Sequence, residues 1–287
     1  MTTARLGCPD LGVGVGLRLP HYAELLATWP AMDFFEVISE NFMVPGGKPL
    51  FHLEQVLSHY PVIQHGVSLD IGGPEPLNRD YLQRLKALVQ RVKPAWLSDH
   101  LCWCGTGHAH LHDLLPLPHT QEAIGRVVER ARMVQDFLEV PFALENTSSY
   151  LAFTSNEMPE WEFVSEIVER ANIGLMLDVN NVYVAAYNHG FDAHEYLRAL
   201  PLERVVQIHL AGHTNLDTHL IDTHRGPIID AVWQLYAATI ERAGAVSTLI
   251  EWDEDIPSWA VLSAEADRAR TLRASVLQRR AVAQEAP

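Results

Sequence analysis

The chain has 287 residues, 48% of them apolar and 20% charged, which excludes disordered and fibrous classes and leaves room for one large α/β domain or two small ones. With 21 Lys and Arg against 36 Asp and Glu the formal charge is −15, so a phosphate backbone is repelled and nucleic acid is a disfavoured partner. No apolar run reaches the roughly 18 residues of a membrane span, and the start, MTTARLGCPDLGVGVG, lacks a long apolar signal core. The expectation is a cytoplasmic protein with no membrane partner, its three cysteines (Cys8, Cys102 and Cys104) being reduced thiols rather than a disulfide framework.

In chain order, LGVGVGL (11–17) lacks the GxGxxG spacing of a dinucleotide loop and reads as a strand whose glycines allow close neighbours. HYAELLAT (21–28) has helical period, and DFFEVIS (33–39) and PVIQHGV (61–67) are the next strands. RDYLQRLKALVQRV (79–92) predicts a helix, AWLSDHL (95–101) a strand, HTQEAIGRVVERARMVQDFL (119–138) a helix and PFALEN (141–146) a strand. EWEFVSEIVERA (160–171), IGLMLDV (173–179), VVQIHLA (205–211), IIDAVWQLYAATIERAG (228–244) and STLIEW (247–252) continue the alternation. SAEADRARTLRASVLQRRAV predicts a C-terminal helix, and AVAQEAP (281–287) a loose tail.

Eight Val-, Ile-, Leu- and Phe-rich runs without strict alternation suit parallel strands covered on both faces, and eight such units over about 250 residues fit a (β/α)8 barrel. A doubly wound sheet would carry a glycine-rich phosphate loop after its first strand. The expected fold is therefore one TIM-barrel domain over 1–287, with its core at about 10–265.

Catalytic groups of such a barrel sit at the C-terminal ends of its strands. There the sequence places His65, then Asp99 and His100, Glu145 and Asn146, Asp178, Asn180 and Asn181, His209 and His213, Asp222 and His224, and Glu251. One His or Glu at a strand end is more often a solvated loop residue than a ligand, but six strands in succession ending this way point to metal chemistry. The set of imidazoles, carboxylates and an amide without thiolate suits iron, manganese or zinc. His65, His100, Glu145, Asp178, Asn181, His209, Asp222, His224 and Glu251 exceed the four to six ligands of a single ion, so two or three metals are expected, with Glu145 and Glu251 as bridges.

Around them, His213 is a candidate acid/base group or substrate contact, with a plain loop histidine as the alternative. Asp99 is expected to orient a ligand by hydrogen bonding. Glu40 and Asn41 are candidates for the mouth of the site or for a cap. HAHLHD (108–113) places three histidines on one side of an extended segment, more consistent with an exposed loop than with a metal site.

The spacing of Glu145, Asp178 with a ligand three residues on, His209, DTH (222–224) and Glu251 resembles the trinuclear site of endonuclease-four-like and xylose-isomerase-like barrels. There the position matching Asn181 is commonly histidine. That departure, with VISENFM, HGVSL, SDHLCW, DLLPLP, ENTSSY, LDVNN, HLAGH and DTHRGP, resembles the multinuclear non-haem iron-dependent oxidases, which include methanobactin-forming and bufferin-forming enzymes. The resemblance spans about residues 10–265. It implies two or three iron ions with dioxygen as co-substrate, and oxidative modification of cysteines in a ribosomally made precursor peptide. It also implies a small partner protein that presents the leader, and a link to copper handling.

A zinc apurinic-site endonuclease on this barrel would need basic groove-tracking residues, which the acidic chain does not suggest. A sugar isomerase or epimerase would use fewer ligands. A subunit that merely stores or presents metal is the third alternative, and catalytic turnover separates it from the others.

Overall fold

The structure, a computed structural model, describes residues 4–107 and 109–285. Eight parallel strands close into a barrel: β1 (Val13–Gly16), β2 (Phe35–Ile38), β3 (Val62–Gly66), β4 (Leu97–His100), β5 (Phe142–Glu145), β6 (Gly174–Asp178), β7 (Val205–Leu210) and β8 (Ser247–Ile250). Each strand pairs with its sequence neighbour, and β1 pairs with β8, so the barrel has no open edge. All eight lie inside the apolar runs read from the sequence.

The helices are α1 (Tyr22–Thr28), α2 (Lys48–Leu57), α3 (Arg79–Val92), α4 (Gln121–Leu138), α5 (Glu160–Ala171), α6 (Val179–His189), α7 (Ala193–Ala199), α8 (Asp230–Ala243) and α9 (Trp259–Glu285). Asn78 and Thr120 cap α3 and α4 by accepting backbone N–H groups, while Lys93 and Glu139 end them in the left-handed conformation. The sequence reading did not separate α2, α6 and α7. Helix α6 starts directly at the end of β6, capped by Asp178 with no loop between them, so the period changes inside one stretch, DVNNVYVAA. Helix α9 takes in residues 281–285, where a loose tail was expected. Two antiparallel pairs, Trp103–Thr106 with Ala109–Leu115 and Thr214–Asn215 with Leu220–Ile221, lie in the loops after β4 and β7.

Inside the barrel, strand periodicity stacks two layers. Phe34, Ile63, Trp96, Ala143, Met176, Val206 and Leu249 form an apolar floor. Two residues beyond Ile63, Ala143, Met176 and Leu249, on the same strand face, stand His65, Glu145, Asp178 and Glu251. The glycine of β1 at position 14 has its reason here: a Cβ would lie 2.5 Å from the Phe34 carbonyl oxygen and 2.8 Å from its ring. The main core lies between the outer strand faces and the helices.

Candidate metal centre

Three groups of ligand atoms converge at the C-terminal mouth. The first is His65, His100 and Glu145; the second is Glu145, Asp178, His209 and Glu251; the third is His224, Glu251 and Asp253. Within each group the ligand atoms lie inside 4.8 Å of one another. Glu145 belongs to the first two and Glu251 to the last two, so the groups form a chain linked by the two carboxylates expected to bridge.

In the first group Nε2 of His65 lies 3.3 Å from Nε2 of His100, and Glu145 Oε2 lies 3.3 and 3.1 Å from them. The Nδ1–H of His100 donates to the Gly66 carbonyl at 3.1 Å, so its Nε2 presents a lone pair. Nδ1 of His65 is hydrogen-bonded to the Ser98 hydroxyl at 2.9 Å. Burial holds His100 down to about 4 and, with His100 and His209 adding repulsion, His65 well below its usual range. Neutral imidazoles and a carboxylate thus aim acceptor atoms at one point, an arrangement that a cation resolves.

The second group is rich in acid. Burial first, then Asp178 and Glu251, raise Glu145 far above the ordinary carboxylate range. Burial likewise pushes Asp178 up to about 7. Glu251 goes the other way: burial opposes ionisation, but His209, His224 and Arg18 hold it low. Asp178 caps α6, its Oδ1 accepting the Asn181 N–H at 2.6 Å. The Asn181 Nδ2 donates to the Asn146 carbonyl at 3.0 Å, which turns Oδ1 away from that bond.

Three buried oxygens in this cluster have no hydrogen-bond partner among the described residues: Glu145 Oε2, Asp178 Oδ2 and Asn181 Oδ1. An unsatisfied buried polar atom costs roughly 1–3 kcal/mol. Three in one cluster, with Nδ1 of His209 and Nε2 of His224 turned to carboxylates at 2.8 and 2.9 Å, fit a divalent or trivalent metal. The chemistry of the residues therefore suits the implied ions.

Several supporting residues escaped the sequence reading. Glu36, buried in β2, lies 3.2 Å from Nε2 of His209, which also meets Gln207 Nε2 at 2.8 Å; with the proton on Nε2, this carboxylate–imidazole pairing frees Nδ1 for a metal. Gln207 donates to Glu36 at 2.6 Å and accepts from Trp96 Nε1 at 2.7 Å, which fixes its amide. Asp253 faces Nδ1 of His224 at 3.1 Å and binds Arg18, whose Nη2 also lies 3.5 Å from Glu251. Asp253 was legible as the residue two beyond Glu251 in EWD. Glu36 stands two residues beyond the floor residue Phe34, on the same period as the others, but in mid-strand rather than at a strand end.

Asp222 lies 2.9 Å from Nε2 of His224 and accepts from Asn180 Nδ2 at 2.8 Å. Asn180 in turn bonds Nδ1 of His213 at 2.8 Å, so His213 reaches the site through Asn180 and Asp222 and does not line its cavity. Asp99 acts through the backbone: its Oδ1 accepts the His100 N–H at 2.7 Å and stands 4.0 Å from the imidazole, which the Gly66 carbonyl orients instead. Glu40 lies outside the cavity, accepting from Val67 N–H at 2.9 Å and from the Tyr81 hydroxyl at 2.6 Å. Asn41 is exposed and also off the cavity wall. Cys102 and Cys104 are buried free thiols. The stretch 108–113 falls partly outside the described residues at His108, and the side chains of His110 and His112 are likewise not described.

Above the cluster lies a cavity of about 210 Å³, with Ile38, Val67, Asp113, Leu114, Thr147, Ser148, Tyr150 and Thr223 also on its walls.

The closed parallel barrel is a TIM barrel with a buried imidazole and carboxylate cluster at its mouth. The fold is shared with an L-ribulose 3-epimerase structure (TM-score 0.62, 15% identity, 95% of this chain and 96% of that chain) and with endonuclease IV of Thermus thermophilus (TM-score 0.57, 16% identity, 93% and 99%). The chain belongs to the RiPP precursor modification enzyme MbnB/TglH/ChrH family, whose model matches residues 12–274. It is 54% identical over 267 residues to a UPF0276 protein of Anaeromyxobacter sp. (strain Fw109-5), covering 93% of this chain and 94% of that one. A UPF0276 protein of Caulobacter vibrioides is 51% identical over 263 residues, covering 91% and 94%. Among the described residues no helix is long and apolar enough to cross a membrane.

Proposed function

We propose that the protein oxidises cysteine residues of a ribosomally made precursor peptide in the cytoplasm, with iron bound at the barrel mouth and dioxygen as electron acceptor. The observation that carries this reading is the chain of three ligand groups joined by Glu145 and Glu251 beneath a cavity of about 210 Å³. Family membership supplies the precursor peptide as substrate class. A small partner that presents the leader and a role in copper handling belong to the same reading.

His65, His100 and Glu145 would hold one ion, Glu145, Asp178, Asn181, His209 and Glu251 the next, and Glu251, His224 and Asp253 a third, with Asp222 on the opposite nitrogen of His224. Bound there, iron would lower the pKa of a coordinated thiol and pass electrons from cysteine to dioxygen. The protein does the rest. Ile38, Val67 and Leu114 exclude water around the substrate side chain, and Thr147, Ser148 and Tyr150 offer it hydroxyls. Asp253, 35% exposed and on the cavity wall, gives the thiol proton a route to solvent. Arg18 and His224 keep the Asp253 carboxylate in place.

The test is to load the purified protein with iron anaerobically, add the cysteine-containing peptide encoded beside it and its partner, admit oxygen and measure peptide mass. Loss of hydrogen at cysteine is expected. An unchanged peptide together with cleavage of abasic DNA, or with epimerisation of a ketose, overturns the proposal.

A further inference from the structure

A second cavity, of about 300 Å³, opens beside the metal site and shares a wall with it. The wall is the segment after β5: Ser148 and Tyr150 face the metal cavity, whereas Ser149 and Leu151 face the second one. Thr147 borders both the metal cavity and a small void of about 20 Å³ that also touches Ser149, His119 and Glu160. An extended chain crossing this wall therefore sets one side chain over the metal cluster and has a neighbouring one within reach of the second cavity.

The lining of the second cavity has a definite chemical character. Its apolar part includes Phe153, Met158, Trp161 and Phe191. Trp161 packs edge-on to Phe191 at 5.5 Å and to Tyr196 at 5.8 Å. Set among these rings is Glu160, half-buried, whose described hydrogen bond is one accepted from the Tyr196 hydroxyl at 2.9 Å. Among the described residues no Lys or Arg lines the cavity. Burial holds His119 down to about 4, and Nε2 of His189 is turned to Ser149, 2.8 Å from its Oγ, rather than to Glu160.

A carboxylate beside aromatic faces, under-solvated and without a cation, is complementary to a positive group on an apolar stem: the stem covers the rings and the head meets the carboxylate. The net charge of −15 adds long-range attraction for such a group.

We propose that this cavity is a specificity subsite for a lysine or arginine side chain of the substrate peptide, close in sequence to the residue modified, with Glu160 as its counter-ion. The assignment of the occupant to the substrate rests on the peptide-modifying reading above; the chemistry of the cavity does not. A bland role for Glu160, tying α5 to α7 through Tyr196, leaves the aromatic lining without an occupant.

The test separates the two. The probes are the N-acetyl methylamides of lysine, arginine and norleucine, titrated into the protein while Trp161 fluorescence is read; Trp161→Phe identifies its signal among the seven tryptophans. A cationic probe is expected to bind at least tenfold more tightly than norleucine, and Glu160→Gln, which still accepts the Tyr196 hydrogen bond, is expected to erase that difference. Phe153→Ala, on the cavity wall, should weaken all three probes. With peptide substrate, Glu160→Gln should raise KM several-fold for a peptide containing the basic residue, leave kcat within twofold, and have no effect on a peptide with norleucine in its place. Equal binding of norleucine, no saturable binding up to the solubility of the cationic probes, or an unchanged KM overturns the subsite. Probe binding that depends on Glu160 without any peptide oxidation sinks the functional reading and leaves the cation site standing.

Discussion

Glu36→Gln offers the sharpest check on the metal centre, because Glu36 touches a single proposed ligand and no cavity wall. For Nδ1 of His209 to coordinate, its proton must sit on Nε2, and Glu36 Oε2 at 3.2 Å is the acceptor that nitrogen faces. A hydrogen bond to an ionised acceptor contributes about 1.5–3 kcal/mol and one to a neutral acceptor about 0.5–1.5, so the isosteric amide loses about 1–2 kcal/mol of support. At about 1.4 kcal/mol per decade that is roughly 5–30-fold in metal affinity, within the about 10–100-fold typical of such supporting groups. Competition titration against a chelating dye, together with metal content after dialysis, measures the effect. Thermal unfolding of the metal-free protein monitors folding, and the Gln207 and Trp96 bonds beneath should survive. Unchanged affinity and stoichiometry would refute the reasoning and reduce Glu36 to a partner of Gln207.

Glu145→Ala should strip two groups at once, so metal content should fall by more than one ion per chain and peptide modification should cease while the barrel's circular dichroism is kept; retained turnover without metal would contradict the site. Chelation of the loaded protein should lower its melting temperature. At a hundredfold excess of metal over its Kd the linkage is about 2.7 kcal/mol, or roughly 5–10 °C for a domain of this size, and an unmoved transition would deny binding to the native state. Glu160 supplies a pH test: burial raises its folded pKa to about 7, above the ordinary value of 4.5. The native state therefore holds its proton more firmly than the unfolded chain, and stability present below the unfolded pKa is lost as pH rises through about 7. Glu160→Gln should gain on the wild type by about 1 kcal/mol at pH 8, since solvent reaches the group through its cavity, and by almost nothing at pH 4; equal gains at both pH values would contradict this.

The strand ends were readable because each ligand stands where an apolar run stops, a break in pattern visible in one dimension. His65, Glu145, Asp178 and Glu251 follow from it, as do the eight strands, since strand period alone places each ligand two residues above an apolar floor residue. The paired role of Glu145 and Glu251 came from counting ligands, and closure of the barrel sets them between neighbouring groups.

What the sequence by itself determined is the fold class and the inventory of candidate ligands, because burial and periodicity are written along each strand. The tertiary structure decided which atom each ligand offers. Glu36 selects the nitrogen of His209 from across the barrel, Gly66 rather than Asp99 selects that of His100, and Asn180 ties His213 to Asp222 without placing it in the cavity. These are contacts between residues about 30 to 170 positions apart. The angle of a side chain and the proton on a ring depend on what closure brings opposite them, and local sequence carries no trace of that.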